Sequence, residues 1–388
     1  MNKILINGLG IQDSGGITVF DKLLNEVKDS KHNYLIICNK NENIQKLIRK
    51  YTNSNNLEFI CIRSKGFLNR LYYENIIFRK IIKARNIKLV YNFSGSSQFF
   101  FKIPKITKVH NLLFYSKKID KIYFDKKKYL SWLKQIFLKR VIFHMMIKNT
   151  KYIEVQSNHV KEYISDFVDI LNKQFFIKSD INLPDNLFLK PKNFNFTKKI
   201  RFLYIVGPHF EYLHKNFEDF IKTMNVLKKK NFDFEIIVTL SKEQLYASSL
   251  WDKELDENTN FLGYISKDKL NKQFIDNTIL ISTSVIETLG LHVIEAIQNG
   301  VLSICPNENY SRSVYGNDII TYELFNEESL VNKIEKIILL NNNDIKDTIT
   351  KNQNYLKDNE SQKYNSIIKI FDEILSKENL ITRKENNV

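Results

Sequence analysis

Cysteine is scarce in this 388-residue chain, with three residues at positions 38, 61 and 305. An odd, widely spaced trio gives neither a disulfide framework nor a zinc ligand set, so a reducing cytoplasm is the expected compartment. No apolar run reaches the roughly 18 residues that a membrane span needs. Ile4 to Ile6, after Met1-Asn2-Lys3, runs straight into Gly8 without the apolar core or cleavage site of a secretion signal. The protein is therefore expected to be soluble or at most to sit on a membrane surface. No Asp-x-Asp metal motif occurs anywhere. No repeat with a period of roughly 20 to 50 residues is visible. Proline and glycine number only 5 and 11, so each marks a turn. What the chain does have is apolar material, 43% against 26% charged residues, enough for real cores and against disorder. Its length suits two domains of roughly 150 to 200 residues.

The net charge of +16 is placed unevenly. Residues 1–190 hold 34 Lys and Arg against 15 Asp and Glu, whereas residues 191–388 hold 25 against 28. The excess concentrates between Lys102 and Lys151, where 14 basic residues meet only Asp120 and Asp125, interleaved with Phe114, Tyr115, Tyr123, Phe124, Tyr129, Trp132 and Phe137. Such a stretch suits an anionic partner: a membrane surface or lipid pyrophosphate, a nucleic acid, or nothing beyond solvent. No helix-turn-helix, zinc finger or RNA-recognition motif accompanies it, so nucleic acid is not the expected partner.

Four of the glycines are Gly8, Gly10, Gly15 and Gly16, between the apolar run Ile4 to Ile6 and a helical pattern from Ile17 to Leu24. That reads as strand, glycine loop and helix. Apolar runs at Tyr34 to Cys38, Leu57 to Ile62, Lys88 to Tyr91, Ile106 to Val109 and Tyr152 to Val155 alternate with helical patterns such as Leu68 to Ala84 and Leu130 to Ile147. Alternation of this kind predicts a parallel sheet covered on both faces. Between Leu183 and Thr197 it lapses into a polar, proline-punctuated segment, the expected interdomain linker. It then starts afresh from Ile200 with a second α/β pattern, followed by helical stretches from Glu327 to Leu340 and from Asp344 to Leu375.

The most informative segment is Glu287-Thr288-Leu289-Gly290-Leu291, followed by Glu295-Ala296 and Gly300. It stands between two apolar runs, ending at Ser282 and at Pro306. Gly290 lets backbone approach a ligand closely, and the helix that follows presents free N–H groups to phosphate oxygens. Its dipole alone favours an anion by a few tenths to about 1 kcal/mol. Glu295, in the second helical turn, could accept hydrogen bonds from a ribose diol, and Glu287 on the loop can reach a sugar.

This segment resembles the E-x7-E donor motif of the retaining family 4 glycosyltransferases, which have the GT-B fold. All the framing positions match, with Thr288 and Leu289 standing where the family commonly has Gly and Phe. His214-Lys215-Asn216 resembles the family's segment in which a Lys binds the donor diphosphate. His209 stands where an Arg is frequent. Gly263-Tyr264-Ile265 resembles the segment whose backbone meets the nucleotide base. Gly15-Gly16 resembles the glycine pair that lies against donor phosphate or sugar, and His110, at a strand end, the His that faces the acceptor. The resemblance is firm over residues 200–306 and diffuse over 1–190.

The resemblance implies a GT-B architecture of two doubly wound Rossmann-like α/β domains facing across a cleft: an acceptor domain over 1–190, joined by a C-terminal helix over 361–388, and a nucleotide-sugar domain over 191–360. It implies retention at the anomeric carbon, with Glu287, Lys215 and His110 as catalytic candidates. The donor candidates are Gly15, Gly16, His209, Lys215, Gly263 to Ile265, Glu287 to Leu291, and Glu295. No cofactor is expected beyond a UDP- or GDP-linked sugar donor, and no metal. With the basic stretch, the resemblance suggests a lipid-linked glycan acceptor of O-antigen, capsule or lipopolysaccharide type, and peripheral contact of residues 99–151 with the inner face of the cell membrane. The alternatives are another nucleotide-sugar activity on the same fold, such as a 2-epimerase, and a basic nucleic-acid-binding protein.

Overall fold

A computed structural model describes residues 2–11, 14–180, 187–361 and 364–385. Positions 183–186 of the expected linker and the end of the tail lie outside the described residues. The chain divides into two compact units, the first made of 1–116, 129–181 and 363–388, the second of 117–128 and 182–362.

The first unit holds seven strands: β1 (Lys3–Gly8), β2 (Asn33–Asn39), β3 (Leu57–Ile62), β4 (Leu89–Asn92), β5 (Lys105–Val109), β6 (Tyr152–Val155) and β7 (Gln174–Ile177). They pair in the order β3-β2-β1-β4-β5-β6-β7, every pair parallel. Parallel strands are covered on both faces, and β1 shows why its sequence is continuously apolar. Ile4 and Ile6 pack with Phe20, Leu24 and Phe371, while Leu5 packs on the opposite face with Leu35, Phe78 and Val90. The helix Ile367–Glu385 belongs to this unit, burying Ile367, Ile370, Phe371 and Ile374 against the sheet and pairing Asp372 with His32 at 2.9 Å.

The second unit holds β8 (Ile200–Tyr204), β9 (Phe234–Val238), β10 (Thr259–Phe261), β11 (Thr278–Ile281), β12 (Leu302–Pro306) and β13 (Ile320–Tyr322), in the all-parallel order β10-β9-β8-β11-β12-β13. Both sheets are doubly wound. From β1 and β8 the chain proceeds to one side, from β4 and β11 to the other, so each sheet has a topological switch point where ligands bind such folds.

Three features differ from the pattern-based reading. The helical stretches Leu68 to Ala84 and Leu130 to Ile147 are each interrupted by a wide π turn, Tyr73–Ile77 and Leu133–Phe137. In the first, Glu74 is fully buried and accepts hydrogen bonds from Asn7 Nδ2 and Ser96 Oγ, a polar demand that local periodicity does not reveal. β7, next to β6 and the fourth strand out from β1, is a short strand that the apolar runs did not include. Residues 117–128, N-terminal by sequence, group with the second unit, where Lys118 pairs with Glu308 and Lys126 with Glu218.

Candidate active site

At the switch point of the second sheet, the loops that leave β8 and β11 are stitched together. Tyr204 Oη and Thr283 Oγ1 lie 2.7 Å apart, Thr283 Oγ1 donates to the Lys215 carbonyl at 2.8 Å, and the Val285 N–H donates to the His214 carbonyl at 2.8 Å. Lys215 closes a short turn, and Asn216 follows in the left-handed region (φ 48°) to start the helix Phe217–Lys229. The stitching brings Lys215 Nζ to 2.7 Å from Glu287 Oε1, across 72 residues of sequence. Burial alone would raise the Glu287 carboxyl, but the charge and hydrogen bond of Lys215, with His292 and Ser284, hold it at about 2. The Glu287 carboxylate therefore stays ionised from neutrality down to strongly acid pH.

Gly290 ends this loop with φ 56° and ψ 60° and caps the helix Leu291–Gln298. The positive φ is one reason only glycine fits, and packing is the second. A Cβ there would stand 2.0 Å from Tyr315 Oη, which donates to the Leu289 carbonyl at 3.0 Å, while Tyr310 Oη donates to the Ser284 carbonyl at 2.6 Å. Gly290→Ala is expected to cost about 1–3 kcal/mol of stability from backbone strain and overpacking. Adding Tyr315→Phe should return part of that loss. Urea unfolding checks it, and a Gly290→Ala change within about 0.5 kcal/mol of wild type would mean that this packing is wrong.

Along the helix, His292 is hydrogen-bonded to Ser282 Oγ at 3.0 Å. Burial, reinforced by Lys215, pushes its pKa down to about 4, and the same two causes bring His214 to about 4, so both rings are neutral at pH 7. Glu295 is partly exposed and holds Lys267 at 3.0 Å. Thr288 is half-buried, Leu289 buried, and Leu291 exposed at the helix start.

Gly263 has φ +63°, and its N–H donates to the Leu240 carbonyl just beyond β9. Tyr264 follows at 88% exposure, with Ile265 half-buried. His209 is exposed and stacks on Tyr212, with centroids 4.9 Å apart. Thus Glu287, Lys215 and Gly290 come together directly, while His209, Gly263 to Ile265 and Glu295 stand on neighbouring segments of the same unit.

The remaining candidates belong to the first unit. Gly15 and Gly16 lie in the first turn of the helix Ser14–Val27 rather than in the loop ahead of it. His110 follows β5, exposed to a cavity yet surrounded closely enough that loss of hydration, with Lys108 and Arg70 nearby, lowers its pKa to about 4. Sequence reasoning missed Tyr310, Tyr315, His292 and Ser282. The two tyrosines act through long-range carbonyl contacts that no local pattern announces, whereas His292, three residues before Glu295 on one helix, was open to inspection. Among the described residues, no three His, Cys, Asp or Glu side chains are grouped to hold a metal ion.

Two doubly wound parallel domains in one chain make the GT-B fold. Residues 188–359 match the model of the family described as Glycosyl transferases group 1, a span that contains the Lys215 turn, Glu287, Gly290 and Glu295. The chain is thus a GT-B protein related to that family. In structure it is similar to a sucrose-phosphate synthase from Thermosynechococcus elongatus (15% identity, TM-score 0.67, all of both chains covered). It is also similar to HepE from Anabaena, solved with UDP and glucose (11%, 0.64, 97% of this chain and 99% of that one). A third likeness is to a glycosyltransferase from Rickettsia africae (16%, 0.58, 99% and 98%). At such identities the likeness is one of fold. No curated protein matches the sequence.

Proposed function

We propose that the protein is a retaining glycosyltransferase that moves a sugar from a UDP- or GDP-linked donor to a hydroxyl of a lipid-linked glycan in bacterial surface-polysaccharide synthesis, without a metal. The observation that carries this reading is the Lys215–Glu287 pair, 2.7 Å apart beside the Gly290 helix start, at a switch point inside the family-matching span. In the proposed site the first N–H groups of the helix Leu291–Gln298 and Lys215 bind the donor diphosphate. Glu287 holds the sugar, Glu295 the ribose, and the segment Gly263 to Ile265 the base. Negative charge grows on the departing diphosphate, and a fixed cation there lowers the barrier. His110 serves the acceptor, its neutral ring able to accept a hydrogen bond from a hydroxyl.

Membrane contact is supported by the first unit's surface. The helix Gly66–Tyr72 and the helix Leu138–Lys148 meet through Phe67 and Phe143, with centroids 6.0 Å apart. Around them Leu68 (78%), Tyr72, Leu130 (74%), Leu138, Val141 and Met145 are exposed, among Lys65, Lys134 and Lys148. Exposed apolar side chains framed by lysines suit an anionic lipid surface, at about 1 kcal/mol per basic residue close to it. Among the described residues no helix is long and apolar enough to cross a membrane.

The test is donor turnover over a panel of nucleotide sugars, in EDTA, with and without glycan acceptors, with the anomeric configuration of the product read by NMR. Acceptor-dependent transfer with retention is expected to persist in EDTA. Activity that vanishes in EDTA and returns with manganese, or turnover indifferent to acceptor, as in a 2-epimerase, would contradict the reading.

A further inference from the structure

At the other switch point, between β1 and β4, the loops after β1, β4 and β5 border a cavity of about 240 Å³. Two cations line it, Arg70 and Lys139, and among the described residues that line it none is acidic. The Arg70 side chain is only 15% exposed, and its Nε is buried with no hydrogen-bond partner. The carboxylate oxygen paired with it, Glu74 Oε1, stands 3.6 Å from Nε, beyond hydrogen-bond length. That carboxylate is already engaged by Asn7 and Ser96, and burial pushes its pKa up in spite of Arg70. Glu74 therefore leaves the guanidinium Nε donor unsatisfied. Lys139 has no carboxylate or hydrogen-bond partner among the described residues. A charge taken out of water without hydrogen bonds is costly, which marks a place where a ligand completes the pairing.

The backbone is shaped around these groups. A Cβ on Gly10 would stand 2.2 Å from Arg70 Nη1, and one on Gly95 (φ +83°) 3.1 Å from His110 Cε1, so glycines admit both the guanidinium and the imidazole. Phe114 and Phe143 stack with centroids 4.7 Å apart and planes at 9°, and Phe67 stacks on Phe143, forming an apolar wall. Such a wall fits the C–H face of a sugar ring.

We propose that this cavity is the acceptor subsite and that the acceptor sugar carries an oxyanion, a phosphate or a carboxylate, bound by Arg70 and Lys139. The proposal rests on the glycosyltransferase reading above. The planar guanidinium fork matches either oxyanion bidentately, and the lysine adds a point charge. His110, neutral at pH 7, is left to meet the ring hydroxyls.

The test is calorimetric titration of glucose 6-phosphate, glucuronate and glucose into wild type, Arg70→Gln, Arg70→Lys and Lys139→Gln, with UDP and GDP titrated alongside. One or both acidic sugars should bind wild type about 10-fold or more tighter than glucose, the range of lost charged hydrogen bonds, and which one binds identifies the oxyanion. Arg70→Gln should abolish that advantage and Arg70→Lys keep part of it, with UDP and GDP affinity unchanged. Lys139→Gln, at a partly exposed position, carries the test if Arg70→Gln fails to fold. Equal binding of all three sugars by wild type overturns the proposal. So does a loss of UDP or GDP affinity in the variants, which would make the cavity part of the donor site. Failure of wild type to bind either nucleotide counts against the glycosyltransferase reading instead, and the sugar titrations still decide the cavity.

Discussion

Lys215→Ala should lower turnover by about 10² to 10³, the range for loss of a donor to a developing oxyanion. The diphosphate gains charge as the glycosidic bond breaks, so a fixed cation stabilises the transition state more than the bound donor. Lys215 is paired with Glu287, and its ammonium has three protons, so it can hold the carboxylate and a phosphate oxygen together. The substitution also removes the cation beside a mostly buried carboxylate, leaving it the Ser284 hydrogen bond, and the Glu287 pKa should rise from its depressed value. Lys215→Arg should restore activity only in part, because the guanidinium differs in reach and donor geometry. Glu287→Ala, which leaves the cation in place, should mainly lower turnover. Steady-state transfer by the three variants checks this. A Lys215→Ala enzyme with more than about half the wild-type rate, far outside that range, would exclude Lys215 as the phosphate ligand and turn attention to His209.

Glu295→Ala should act on binding rather than rate. Among the described residues the Glu295 carboxylate is tied only to Lys267, itself 71% exposed, and a surface pair of this kind is worth about 0–1 kcal/mol. A ribose diol can therefore displace Lys267 at little cost. Deleting the carboxylate removes charged hydrogen bonds to the diol, about 1.5–3 kcal/mol, or roughly 10- to 150-fold in nucleotide affinity. Stability should hardly change. Lys267→Ala should bind nucleotide as wild type does, which separates loss of the ribose contact from loss of the surface pair.

What the sequence revealed and what it hid follow from how far each signal reaches. The second unit's frame was legible because its demands are local. Gly290 needs a positive φ, and Gly300 (φ +74°) sits where a Cβ would strike the Lys190 carbonyl at 2.2 Å, so both glycines are fixed by backbone rather than by chemistry. The alternation of strands and helices also announced both parallel sheets. Hidden were the contacts that join distant segments. Glu74 meets Asn7 and Ser96, Tyr315 reaches Leu289, and Arg70 comes against the Gly10 loop, each across tens of residues and, for Glu74, through a π turn that breaks helical periodicity. The charge count flagged the basic half without showing that Arg70 and Lys139 share one cavity.

The most direct test of a nucleotide-sugar site at the β8 and β11 switch point is calorimetric titration of UDP and GDP into wild type, Glu295→Ala and His110→Ala. Wild type should bind one of the two nucleotides, Glu295→Ala should bind it at least about 10-fold more weakly, and His110→Ala should bind it unchanged. Binding of neither nucleotide by wild type, or equal affinity in wild type and Glu295→Ala, would contradict the account.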